Sequence, residues 1–393
     1  MQNRNIEDLP VEYDSLGHST GVEAEEDDPN NETIDEPFDP AKIDVVTRTP
    51  TVSLLLARLR RGVLDLTPDF QRRAGIWTDV AQSRLIESLL LRIPLPTLYA
   101  AESGEDSWVV VDGIQRLTTI ARFVQPDLIR KDYPNLETLR LTGLEYLGQY
   151  EGATYSDLPG NLQTRIDEAE LLVHLIRAGT PEPVKFNIFA RINTGGLPLT
   201  AQELRHALIP GPARQLLAEL SRSAEFLHAT DGSIRTTRMA DREMVLRFLA
   251  FLMLDPDEHY RGDLDGFLRD AMELINHTTV EHHEKLGDSF RRSMNAAARI
   301  FETNAFRKLN NWEPNRRLPI NKALFETISV NLARLSQKNL DLLTSNREEV
   351  DMRFRELLQD EDFYNAISVG TGSVEKVRER FKAIDNLFNE MTS

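Results

Sequence analysis

Cysteine is absent from all 393 residues, which excludes disulfide scaffolds, Cys-ligated zinc, iron–sulfur clusters and thiol catalysis. Long apolar runs are missing as well. No stretch reaches the ~20 residues needed to span a bilayer, and MQNRNIEDLP at the start lacks the basic-then-apolar order of a signal peptide. A cytoplasmic protein with no membrane contact is therefore expected. Positive charge is scarce in the first 44 residues, where Arg4 and Lys42 face fourteen acids. This segment carries −12 of the formal net charge of −17, leaving −5 for the other 349 residues.

Between Glu23 and Asp39 the chain is nearly all acid, Asn, Pro and Thr. A segment with so few core-forming residues cannot offset its own ordering entropy, so residues 1–44 read as an acidic disordered tail. Two roles fit such a tail: keeping the protein in solution, or acting as an autoinhibitory arm that competes with a polyanion for a basic groove.

The body divides into a mixed α/β part, residues 45–212, and a helical part, residues 213–393. Thr49-Pro50 reads as a helix N-cap with proline at the first helical position, followed by an apolar face at Val52, Leu55, Leu56 and Leu59. A second helix is expected from Thr78-Asp79, ending before Pro94 and Pro96. Thr97 to Ala101 and Trp108 to Val111 read as strands around Ser103–Asp106, and Glu170 to Ile176 as another. Thr180-Pro181 opens a helix that ends in Asn193-Thr194-Gly195-Gly196, and Thr200-Ala201-Gln202-Glu203 is a capping box for the next. Beyond Arg214 the pattern is almost purely helical, with Met244 to Leu254 apolar nearly all round.

Three short stretches have residue types suited to phosphate chemistry. In Asp112-Gly113-Ile114-Gln115-Arg116 a strand runs through a glycine turn into a helix, whose first backbone N–H groups are unpaired and favour an anion. Glycine permits close approach, Arg116 suits a bidentate grip on phosphate, and Asp112 suits Mg²⁺ shared with phosphate oxygens. A tight turn braced by an Arg–Asp salt bridge would present the same letters. Phe70-Gln71-Arg72 with Trp77 offers a cation and a stacking surface, or else a core Trp beside an Arg paired to Asp69 or Asp79. Arg191 to Gly196 offers an amide and a hydroxyl on a glycine loop, and equally a helix C-cap.

Together these stretches resemble the family catalogued as domain of unknown function 262. Phe70-Gln71-Arg72…Trp77 and Leu85-Ile86-Glu87-Ser88-Leu89-Leu90-Leu91-Arg92-Ile93-Pro94-Leu95-Pro96 resemble its start. Val111-Asp112-Gly113-Ile114-Gln115-Arg116-Leu117-Thr118-Thr119 resembles its DGQQR signature, with Ile114 where the first Gln usually stands. Phe189-Ala190-Arg191-Ile192-Asn193-Thr194-Gly195-Gly196-Leu197-Pro198-Leu199-Thr200 resembles its third block. The resemblance implies an α/β (α+β) ParB/sulfiredoxin-like N-terminal core followed by an all-α C-terminal domain. That core forms the N-terminal half of GmrSD-type, modification-dependent restriction and related phage-defence systems, where it binds and hydrolyses nucleoside triphosphates. Carried over, Asp112, Gln115 and Arg116 are the catalytic candidates and Asp112 the Mg²⁺ ligand. Gln71, Arg72, Gly113, Thr118, Asn193, Thr194 and Gly195 become the nucleotide-binding set.

The remaining features concern partners. Ser289 to Lys322 holds eight Lys and Arg residues against Glu302 and Glu313, with Phe306 and Trp312 interleaved. Arg307, Lys308, Arg316 and Arg317 are its candidate DNA contacts, or else a surface paired with acids elsewhere. His277, His282 and His283 with Glu281 and Glu284 read as a solvated face, so the His-Asn-His-like nuclease that usually follows the GmrSD core is not expected. A separate nuclease or defence protein is then a partner, and a homo-oligomer is compatible with the sequence. The competing readings are a non-catalytic DNA-binding or adaptor module and a ParB-like nuclease.

Overall fold

Capping side chains set most of the element boundaries. Thr51 Oγ1 accepts from Leu54 N at 3.3 Å and opens α1 (Val52–Arg60), two residues later than the sequence suggests. The delay follows from Pro50 and Thr51 still being extended: Pro50 O accepts from Leu171 N, and Thr51 bridges Glu170. Thr78 caps α2 (Asp79–Leu90) as expected. In this computed structural model the described residues are 9–13, 18–25, 43–66, 77–103, 106–130, 136–192, 200–309 and 317–392. The chain forms two units, one of Pro37–Leu208 and one combining Met1–Glu36 with Ile209–Ser393.

The Pro37–Leu208 unit is a mixed α/β domain. Its five-stranded sheet comprises β3 (Val45–Arg48), β4 (Leu64–Asp65), β5 (Leu98–Glu102), β6 (Trp108–Asp112) and β7 (Val173–Ile176), in the order β3-β7-β5-β6-β4. β3 runs antiparallel to β7 and β5 antiparallel to β6, whereas β7–β5 and β6–β4 are parallel. The central strands β5 and β6 bury Ala100, Ala101 and Val109 to Val111. Around the sheet stand α1, α2, α3 (Ile114–Val124), α4 (Gly160–Asp167), α5 (Glu182–Ile192) and α6 (Ala201–Leu208). Arg122 on α3 donates to Asp79 Oδ1 at 2.6 Å and to Glu137 O at 2.8 Å, tying α3 to the start of α2.

The second unit is helical, with one small β-hairpin. Its main helices are α7 (Pro212–Leu220), α8 (Ala224–Ala229), α9 (Ala240–Met253), α10 (Leu264–His277), α11 (Val280–Phe301), α12 (Lys322–Arg334), α13 (Gln337–Ser345), α14 (Arg347–Leu357), α15 (Glu361–Ala366) and α16 (Val374–Glu390). α9 is central, with every residue from Met244 to Phe251 buried. Phe248 meets Phe290, and Phe251 meets Phe267 and Phe381, at centroid separations of 4.9 to 5.1 Å that suit edge and offset ring contacts.

The hairpin corrects the reading of residues 1–44 as a uniform disordered tail. β1 (Val11–Tyr13) and β2 (Ser19–Glu23) pair antiparallel and belong to the helical unit. Glu23 N donates to Ile320 O at 2.8 Å and Ile320 N to Gly21 O at 3.0 Å, while Val22 is fully buried. The acids that made this stretch look unable to pack are what anchor it. Glu12 pairs with Lys322, Glu23 with Lys308, and Glu25 with Arg247.

Candidate functional site

The geometry centres on the turn from β6 into α3. β5 and β6 shift register between Tyr99 and Ala100, so that Tyr99 faces Asp112 while Ala100 faces Val110. An irregularity of this kind re-aims the end of a strand. Asp112 is thereby placed, partly exposed, at the mouth of the turn. Gly113 follows at φ +93° as the N-cap of α3 and offers no side-chain cap, so the helix start has only its own amides to present. A Cβ at Gly113 would lie 2.1 Å from Leu98 Cδ2 and 3.2 Å from Arg116 Nη2, so both backbone conformation and space demand glycine.

Arg116 does not play the part its sequence position suggests. Its side chain is buried, and Nη2 holds Asp112 Oδ2 at 2.8 Å. Nη1 donates to Thr97 O at 3.2 Å and also to Pro96 O. The guanidinium is committed to the proline-rich approach to β5 and to Asp112, so it braces the turn instead of reaching out to a phosphate. That geometry corrects its reading as a bidentate phosphate grip and a catalytic candidate and makes it a positioning residue.

The other predicted residues fall into two groups. Gln115 lies half-buried in the first turn of α3, three residues after Asp112, and Thr118 is buried one turn further on. Gln71, Arg72, Asn193, Thr194 and Gly195 lie outside the described residues. Trp77 is exposed, which removes the core-Trp alternative for it.

Two features of this unit escaped the sequence reading. Ser83 and Glu87, four apart on α2, are buried and organise the segment that follows α3. Ser83 Oγ accepts from Thr142 N at 2.9 Å, and the Glu87 carboxylate accepts from the amides of Glu145, Tyr146 and Leu147 at 2.7 to 3.0 Å. Burial pushes the Glu87 carboxyl up, but these three amides outweigh it and hold it below the usual range. The i, i+4 spacing of Ser and Glu on the apolar side of α2 was the available signal. The second feature is α6, which packs against β6 and α5. It buries Gln202, Glu203, Arg205 and His206, with Arg205 Nε donating to Gln202 Oε1 at 3.0 Å. Its capping box is present: Thr200 N donates to Glu203 Oε2 and Glu203 N to Thr200 Oγ1. With Lys185 on α5 also buried, α5 and α6 bury several polar groups beside the apolar Val184, Phe186, Phe189 and Leu204.

In the helical unit two of the four candidate DNA contacts, Arg307 and Lys308, are turned inward, while Arg317 is exposed. Arg307 is buried, donating to the carbonyls of Leu318, Thr230 and Thr303 and to Ser233 Oγ. Burial and the neighbouring Arg317 pull its guanidinium down to about 10. Lys308 is buried on Glu23 Oε1 at 2.6 Å and Ser368 Oγ at 2.8 Å, and Arg317 pairs with Asp231. Arg316 lies outside the described residues. Arg307 and Lys308 are thus internal braces, because folding supplies the acceptors that a phosphate backbone would otherwise provide. Among the described residues, the one trio of side chains spaced to hold a metal is Asp360, Asp362 and Glu379, all exposed, and the His277–Glu284 cluster is not among such groups. No helix among the described residues is long and apolar enough to cross a membrane.

Residues 52–210 match the family model of the GmrSD restriction endonuclease N-terminal domain. This stretch is therefore a GmrSD N-terminal-like domain, and the glycine turn lies near its middle. No significant match to the chain is found among curated proteins or among solved structures.

Proposed function

We propose that the α/β unit binds a nucleoside triphosphate at the β6–α3 turn and hydrolyses it, as part of a restriction or phage-defence system that couples nucleotide state to DNA or to a partner nuclease. The observation that carries this reading is the strand–glycine–helix turn: an uncapped helix start, a residue that must be glycine, and a carboxylate at the mouth. The GmrSD-type match over 52–210 supports the setting. Oriented backbone amides at a helix start bind phosphate without a side-chain cation, so the commitment of Arg116 to its own neighbours leaves the turn competent for binding.

Asp112 is the carboxylate suited to Mg²⁺ here. Bound there, Mg²⁺ would be held by Asp112 with phosphate oxygens and would offset charge on the phosphates. Arg116 supplies none of that charge. It holds Asp112 and the Pro96–Thr97 carbonyls in register, so the turn keeps its shape when a polyphosphate arrives.

Purified protein with Mg²⁺ and each of the four ribonucleoside triphosphates should release inorganic phosphate from at least one of them. Asp112→Asn should lower that release by about 100-fold, the scale of losing one preorganised electrostatic contact. Equal release by wild type and variant would reject the role of Asp112. Nucleotide binding without release by either protein would favour the non-catalytic module.

A further inference from the structure

The geometry points to a second binding site, in the helical unit and independent of the nucleotide reading. We propose that this unit carries a groove for an extended acidic peptide of a partner protein, and that Ser19–Glu25 is its resident, exchangeable occupant.

Three observations support a groove built for a peptide strand. First, recognition runs through the main chain. Glu23 N and Gly21 O pair with Ile320 in a single parallel bridge, and Arg235 N donates to Thr20 O at 2.9 Å, so three backbone hydrogen bonds hold the segment. A nucleic acid has no alternating amides and carbonyls to make them. Second, the groove reads residue type at fixed positions. Gly21 sits at φ +83°, and a Cβ there would meet Ser233 O at 1.8 Å, a backbone atom that cannot swing away. Val22 fills an apolar slot, Glu23 reaches Lys308 and Asn321, and Glu25 reaches Arg247 at 2.5 and 3.1 Å and Thr371 Oγ1 at 2.9 Å. The pattern selected is Gly-apolar-Glu-x-Glu. Third, the charge is complementary. With the hairpin lifted away, Arg247, Lys308, Lys322 and Arg380 keep only Glu243 and Glu326 as carboxylate partners among the described residues.

The occupant's anchorage suits exchange. Of the described apolar side chains in the hairpin strands, Val22 is the one fully buried, so apolar burial holds the segment at a single position. The rest of the hold is ion pairs and hydrogen bonds that an equivalent peptide reproduces one for one. A two-stranded hairpin is marginal on its own, so once displaced it has no folded state to compete with the incoming strand. Because the resident segment is tethered, a partner must overcome its high effective concentration, which makes the groove selective for a close match.

The test uses the full chain with a protease site inserted within residues 29–34. After cleavage, isotope-labelled peptide 9–25 is added in excess and the complex is followed by native mass spectrometry, with circular dichroism recording the fold. The labelled peptide should replace the cut fragment while the helical signal is unchanged. Peptides carrying Gly21→Ala, or Glu23→Gln with Glu25→Gln, should compete at least ~10-fold more weakly, the scale of losing charge-assisted hydrogen bonds. The proposal is overturned if exchange occurs only with loss of helix, if the altered peptides compete equally, or if duplex DNA or a triphosphate expels the fragment where the peptide does not.

Discussion

Replacing Arg247 with methionine should destabilise the helical unit by about 3–5 kcal/mol, the cost of stripping one partner from a buried ionic group. Arg247 is buried in the central helix, with Glu25, Glu243 and Glu326 within 3.3 Å of its nitrogens. Glu326 is fully buried and also bonds Arg380, so loss of Arg247 leaves it with a single cation. Urea denaturation followed by circular dichroism checks the size, and a change below ~1 kcal/mol would show that water replaces the guanidinium freely.

Acid titration gives the same network a sign. Burial pushes the Glu25 carboxyl up, but Arg247 and Lys322 outweigh it and hold it at about 2, below its ordinary 4.5. A carboxyl depressed on folding adds stability that is complete above about 4.5 and is lost as pH falls toward about 2, here at most ~3 kcal/mol. Glu12 works the other way: burial raises its carboxyl despite Lys322, which softens the slope. Wild type should lose stability steeply below pH 4.5, and Arg247→Met should show a shallower acid limb because Glu25 is no longer held down.

Gly113→Ala carries the second large effect. At φ +93° any Cβ is strained by about 1–2 kcal/mol, and this one also meets Leu98 Cδ2 at 2.1 Å. A stability loss of about 2–4 kcal/mol is expected, together with loss of nucleotide binding, because the helix start must shift to admit the methyl. Combining it with Leu98→Ala separates the two causes. The double variant should be more stable than the sum of the singles predicts, since the clash is counted in only one of them, while the backbone strain remains. Strict additivity would mean that Leu98 moves aside at no cost and the contact is irrelevant.

Local signals carried much of the fold. Caps at Thr78 and Thr200, the strands on either side of residues 103–107, and the apolar girth of the central helix are all written within a few residues of where they act. The turn at Asp112-Gly113 was legible for the same reason: strand, glycine and helix start are contiguous. What the sequence hid is non-local pairing. Glu23 and Glu25 looked too acidic to fold because their cations, Lys308, Arg247 and Lys322, lie more than 200 residues away. Lys308 and Arg307 looked free to bind DNA for the mirror-image reason. Arg116 shows the limit within a motif: its spacing from Asp112 is equally that of a phosphate clamp and of an i, i+4 salt bridge, and only Pro96 and Thr97 decide between them.

The account rests on a polyphosphate seated on the first turn of α3. Hydrogen exchange measured with and without saturating triphosphate and Mg²⁺ reads that turn directly. Slowed exchange at the amides of Ile114 to Leu117, absent in Gly113→Ala, is the predicted result. Exchange there unchanged by nucleotide, with protection appearing only within residues 209–392, would contradict it.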